Sequence, residues 1–266
     1  MGPSARTLPL EWSEDMAYVV GLMATDGCLI AGRKQLNFKS EDEQLVQTFL
    51  TCLGKGRRYR GVKTRTGNTV YVTQFSDARF YEWLMTVGLT PRKSLTLGVI
   101  DVPDAFALSL LRGLLDGDGS IQTFVHRPTA STYPDYQYER LWVFFTSASR
   151  SHIDWIQALV ERLLGFRGYV EVRPGRPPHH DFFRLKFGKH SSIALLRAVY
   201  PMPDVPKLER KWLIWEGFRT RHELAEDEGP WVSGADGGTR TRMGLRPPPP
   251  EDGASTGWAT SASTPF

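Results

Sequence analysis

One short pattern, met twice, constrains this chain more than any other feature. Gly21-Leu22 and Asp26-Gly27 in "VGLMATDGCL" recur 92 positions on as Gly113-Leu114 and Asp118-Gly119 in "RGLLDGDGSI". The context repeats as well. After each copy comes an extended pair, "CLIAGRKQLNFKS" in the first half and "SIQTF" with "YERLWVFFTS" in the second. A helical run follows, "EQLVQTFLTCLG" or "IDWIQALVERLLG", each closing on glycine. Next come two further strand-like runs, "RRYRGVK" and "TVYVTQF" against "RGYVEVR" and "FFRLKFG", and then "ARFYEWLMTVGL" against "SIALLRAVY". Each half ends in a basic pair beside a turn, Arg92-Lys93 and Arg210-Lys211. The order α-β-β-α-β-β-α therefore occurs twice, which predicts a duplicated α+β fold. We divide the chain into a first half (1–98), a second half (99–222) and a tail (223–266) whose Pro, Gly, Ser and Thr clusters lack any amphipathic period and predict disorder.

The motif helices carry a contradiction. Ser13 caps the first, and Asp104, after Pro103, caps the second. Ala17, Gly21 and Ala24 share one face, and Leu110, Gly113 and Gly117 share the matching one. Glycine inside a helix costs up to about 1 kcal/mol against alanine. That cost is sensible where two backbones must approach closely, so the helices are expected side by side with their C-termini together. Asp26 and Asp118 then face each other across a pseudo-twofold axis. Acids at helix C-termini are unfavourable, and the combined negative charge calls for a cation. The donors are all oxygen, which selects Mg²⁺, with Mn²⁺ as a substitute and Ca²⁺ able to fit. A calcium loop of the EF-hand type does not fit, because Ile121 and Arg127 stand where it needs Gly and Glu.

Charge and alternation point to a polyanion. Residues 1–219 hold 29 Lys/Arg against 22 Asp/Glu, whereas 220–266 hold 4 against 7. In "QLNFKS", Leu36 and Phe38 are expected to face helices while Gln35, Asn37 and Lys39 face outward. Arg57, Arg58, Arg60, Lys63 and Arg65 crowd one hairpin, too many charges for a buried strand face. Gln35, Asn37, Lys39, Arg58, Arg60, Lys63 and Arg65 are the candidate DNA-contacting residues. No apolar run is long enough to span a membrane, and "MGPSARTLPLEW" has no apolar core of a secretory signal. Cys28 and Cys52 are too few for a disulfide framework or a zinc cluster and suit a reduced, cytoplasmic setting. His179-His180-Asp181 reads as a hairpin tip, and Trp83, Trp155 and Trp212 as core. No phosphate-binding P-loop or serine nucleophile elbow is present.

At these residues the chain resembles the LAGLIDADG homing endonucleases in their single-chain, two-motif form, over about 200 residues. The family name aligns with Val19–Gly27 and Leu111–Gly119. The resemblance implies two αββαββα halves whose antiparallel sheets form a DNA-binding saddle. It also implies metal-dependent hydrolysis of both strands of double-stranded DNA at a long target. The family's catalytic, metal-binding acid falls on Asp26 and on Asp118. Asp116 matches the motif's first acid, where the first copy has Ala24. Assisting basic positions fall on Lys39, Lys93 and Lys211; the second-half match of Lys39 is Thr146 or Ser147, so that contact is lost there. With both acids in one chain, a monomer is expected, on a target that is not a palindrome. Two rivals use the same fold: an RNA maturase assisting intron splicing, and a non-cleaving DNA-binding regulator, which the presence of both acids disfavours. An intein-borne domain is not expected, since the chain shows no flanking Cys or Ser splice junction.

Overall fold

Each copy of the repeat builds one four-stranded antiparallel sheet with helices packed on a single face. The structure is a computed structural model that describes residues 8, 10–126, 138–175 and 180–224. The first half runs α1 (Glu14–Thr25), β1 (Gly27–Ile30), β2 (Gln35–Ser40), α2 (Glu43–Cys52), β3 (Arg60–Lys63), β4 (Thr69–Ser76) and α3 (Ala78–Thr86), then a 3₁₀ turn at Lys93–Leu95. The second runs α4 (Asp104–Asp116), β5 (Ser120–His126), β6 (Tyr138–Ser147), α5 (Arg150–Leu164), β7 (Tyr169–Arg173), β8 (Phe182–Phe187), α6 (Lys189–Val199) and α7 (Glu209–Arg221). Strand order is β1-β2-β4-β3 in one sheet and β5-β6-β8-β7 in the other, so the duplicated α+β architecture expected from the repeat is present.

Alternation explains why each sheet has one dry face. Leu36 and Phe38 on β2 are buried, and Phe38 stacks on Phe49 of α2 with ring centroids 4.3 Å apart. Leu141, Val143 and Phe145 on β6 do the same in the second half, with Leu185 and Phe187 of β8 beside them. The ladders also fix which residues correspond between halves. Cys28 pairs with Asn37 and Ser120 with Phe144, so Gln35, Asn37 and Lys39 correspond to Trp142, Phe144 and Thr146. The match of Lys39 is thus Thr146 rather than Ser147.

Several local readings need correction. Ser13 does cap α1, accepting a hydrogen bond from the Met16 N–H at 3.1 Å, but the N-cap of α4 is Pro103, and Asp104 is the first helical residue. The strand read over 57–63 begins only at Arg60, which leaves Arg58 outside it. Alternation then separates the remaining basic residues: Arg60 lies on the outer face opposite Val72, whereas Lys63 lies with Thr69 on the helix-bearing face. Arg65 is in the connection that follows. The second half does not end in a turn after its last expected helix. It adds α7, on which Arg210 and Lys211 sit.

The α7 end closes with the Leu224 N–H on the Arg219 carbonyl at 3.1 Å, and the disorder expected of the tail lies, from 225 on, outside the described residues. Of the expected hairpin tip, His179 also lies outside, while the flanking β7 and β8 pair antiparallel. Trp83, Trp155 and Trp212 are partly buried against the core. Among the described residues no helix is long and apolar enough to cross a membrane.

Candidate active site

The site begins with two glycines. A Cβ on Gly21 would lie 2.4 Å from the Leu110 carbonyl oxygen, and one on Gly113 would lie 2.3 Å from that of Tyr18. Both obstacles are backbone, so α1 and α4 can lie this close only where both residues lack side chains. At their C-terminal ends a Cβ on Gly117 would overlap the Thr25 hydroxyl, 2.0 Å away. Thr25 and Gly117 immediately precede Asp26 and Asp118. The following glycines let each chain turn back tightly along its helix: a Cβ would come within 2.6 Å of Met23 Cα at Gly27 and of the Leu115 carbonyl oxygen at Gly119.

The two acids are therefore close enough to sense one another. Burial, then the charge of Asp118, pushes the Asp26 carboxyl up to about 6, against the opposing fields of Lys211, Lys93 and Lys39. Asp118 is exposed as a residue, yet partial desolvation still raises its carboxyl, with Lys211 and Lys93 opposing. Asp26, Asp118, Lys93 and Lys211 thus share one electrostatic neighbourhood, which Lys39 enters on the Asp26 side. Arg58, Arg60, Lys63 and Arg65 do not contribute to it. A cavity of about 500 Å³ opens beside Asp26, lined also by Ser40, Asp42, Gly117 and Arg210.

The lysines hold corresponding places. Lys93 donates to the Gly27 carbonyl and Lys211 to the Gly119 carbonyl at 2.7 Å, the same turn position in each copy. Lys211 goes further, reaching the carbonyls of Leu115, Asp116 and Gly117 at 2.8–2.9 Å. Its ammonium caps the C-terminus of α4, a favourable match of cation to helix dipole. Both lysines are buried, and burial lowers both; Lys211 comes down to about 8.

Asp116 has a different task from Asp118. Its buried carboxylate accepts hydrogen bonds from the Tyr18 and Tyr200 hydroxyls and from the Leu208 N–H at 2.8 Å. Burial pushes this carboxyl up, and the three donors pull it back. Since Leu208 is the N-cap of α7, the acid also sits at that helix's positive end. The negative charge at the end of α4 is thus partly met from within the chain, by tyrosines and by Lys211. Arg112 completes the cluster: buried, over the Tyr18 ring at 5.5 Å, it donates to the Val199 carbonyl at 2.8 Å. A lone arginine inside the apolar run "LSLLRGLL" was the available sign of this network. The same region joins the halves: Arg210 pairs with Asp42 at 2.9 Å, and Gln44 bridges to Lys207 and Glu209.

On the sheet face, Gln35, Asn37 and Lys39 point away from the helices, as the alternation predicts, and Gln74 donates to Gln35 at 3.2 Å. The two acids thus lie beside a polar strand face, with the turn carbonyls next to them held by the lysines.

No family model matches this sequence, and no curated protein does. Solved structures do match it. The homing endonuclease I-WcaI bound to its DNA recognition sequence is 10% identical, covering 79% of this chain and 94% of its own, with a TM-score of 0.50. The meganuclease I-SmaMI bound to an uncleaveable DNA is 12% identical over 82% of this chain and 95% of its own, with a TM-score of 0.51. I-SmaMI bound to an uncleaved DNA target with calcium ions is 11% identical, with a TM-score of 0.50. The chain has the fold of the LAGLIDADG homing endonucleases.

Proposed function

We propose that this chain is a single-chain LAGLIDADG endonuclease that hydrolyses both strands of duplex DNA at a long, asymmetric site. The observation that carries the reading is the Gly21–Gly113 approach, which sets Asp26 and Asp118 side by side within range of each other's charge. Two like charges held together at the ends of two helices gain most from a dication. The donors are the two carboxylates, hard oxygen ligands. That fits Mg²⁺, which keeps much of its water and needs few protein ligands, with Mn²⁺ as a substitute. Asp26 and Asp118 would hold the ions. Once bound, such an ion supplies Lewis-acid stabilisation of the phosphate under attack and of the leaving oxygen.

The remaining steps belong to the chain's own residues. Hydrolysis forms a bond from water oxygen to phosphorus, breaks a bridging P–O bond and passes a proton to the departing oxygen. Lys39, exposed on the outer face near Asp26, is placed to hold a phosphate oxygen. We assign Lys93 and Lys211 as positioning residues, because their ammonium groups are engaged by the turn carbonyls that carry the two acids. Gln35 and Asn37 present amides suited to base edges.

The test is selection from a randomised duplex library with EDTA, followed by addition of Mg²⁺ to the captured duplexes. Wild type is expected to cut both strands with a stagger. Asp118→Asn should capture the same duplexes and leave them uncut. Undiminished cleavage by Asp118→Asn would remove the assignment.

A further inference from the structure

The two sheets present different chemistry on corresponding positions of their outer faces. Where the first sheet has Gln35 and Asn37, the second has Trp142 and Phe144; where the first has Val72 and Gln74, the second has Arg184 and Lys186. The second face is a ladder of rings with cations laid on it. Phe124, Trp142 and Phe144 meet edge to face, with centroids 4.6 and 6.1 Å apart. Lys186 Nζ lies 3.8 Å from the Trp142 centroid, and the guanidinium carbons of Arg184 and Arg140 lie 4.9 and 5.8 Å from Phe144 and Phe124.

These cations have little else to hold them. Among the described residues Arg140 and Arg184 make no ion pair, and the buried Nε of each has no hydrogen-bond partner. Lys186 has Glu171 at 3.8 Å. Phe144 is only 3% exposed, with Arg184 over it and Lys186 over Trp142, while Phe124 stands 38% exposed at the open end of the row. What the surface offers is a set of positive groups fixed in advance by cation–π contact, which lowers the ordering cost of binding an anionic partner.

We propose that this face is a preformed row for the phosphodiester backbone of duplex DNA. On this assignment Arg140, Lys186 and Arg184 supply sequence-independent affinity, while the first sheet supplies the amides that read bases. The division of labour rests on the duplex-DNA reading above and adds which sheet does which.

The test uses the full chain and a short duplex of arbitrary sequence, with EDTA present and KCl varied. Each phosphate neutralised contributes about 0.9 to the slope of log affinity against log salt. Arg184→Gln and Lys186→Gln should each flatten the slope by about that amount and weaken binding several-fold. Trp142→Leu keeps the charges and loses the pedestal, so it should weaken binding with the slope intact. Arg162→Gln, on α5 and paired with Asp104, should change neither quantity. Circular dichroism and a thermal midpoint check the folding of each variant, and Arg184→Lys, which retains the charge, should keep the slope if Arg184→Gln fails to fold. Wild-type binding with unchanged slopes in both Gln variants overturns this proposal alone. No wild-type binding to any duplex overturns the functional reading with it.

Discussion

Two aspartates two positions apart do opposite work at the end of α4. Asp116 is buried and satisfied by Tyr18, Tyr200 and Leu208, whereas Asp118 is exposed and within range of the Asp26 charge. Sequence could mark both as anomalous acids at a helix C-terminus; it could not tell them apart, because the donors to Asp116 come from 84 to 98 residues away. Asp26 gives a pH test. Its folded pKa, about 6, lies above the ordinary value of 3.8, so the ion-free folded state holds that proton more tightly than the unfolded chain. This contribution is fully present below about pH 4 and is lost as pH rises through about 6. Asp26→Asn removes the charged form. In EDTA, denaturant unfolding should show the variant more stable than wild type by about 1–2 kcal/mol at pH 7 and equal at pH 4. A variant less stable at both pH values would contradict the account.

Among elements, the α1–α4 contact was the most legible part. Gly21 and Gly113 at helical spacing announced a close approach, and the structure places backbone where any Cβ would be. Gly113→Ala must push the helices apart, at a cost of roughly 2–4 kcal/mol in unfolding experiments. Because the sheets are untouched, cleavage should fall far more than duplex affinity. The other decisive element, α7, was not legible. "ERKWLIWEGFRTR" is polar around much of its surface, and the use of Lys211 is to cap a helix 92 to 96 residues earlier. Propensity and periodicity are local, and neither reports such a return. Lys211→Met would leave four carbonyls without their donor, costing about 2–4 kcal/mol of stability. Gel-shift affinity for duplex DNA should change less than the thermal midpoint. A variant as stable as wild type would show that the cap is dispensable.

At the scale of the molecule, duplication puts both halves of a two-acid centre in one chain while leaving the halves free to diverge. They have diverged at Ala24 against Asp116, at Lys39 against Thr146, and across the outer sheet faces. The repeat period made the architecture readable from the sequence; the divergence of the faces emerged only once the strand register was fixed, since a one-residue slip reverses every side chain. On the proposed function, two unequal faces would meet an asymmetric target bound by one molecule. The most direct test of a centre complete within a single chain mixes two inactive proteins, Asp26→Asn and Asp118→Asn, on a duplex that wild type cuts in Mg²⁺. The account predicts that each alone, and the equimolar mixture, fail to make a double-strand break. Restoration of double-strand cleavage by the mixture would show that the acids act between molecules and would contradict it.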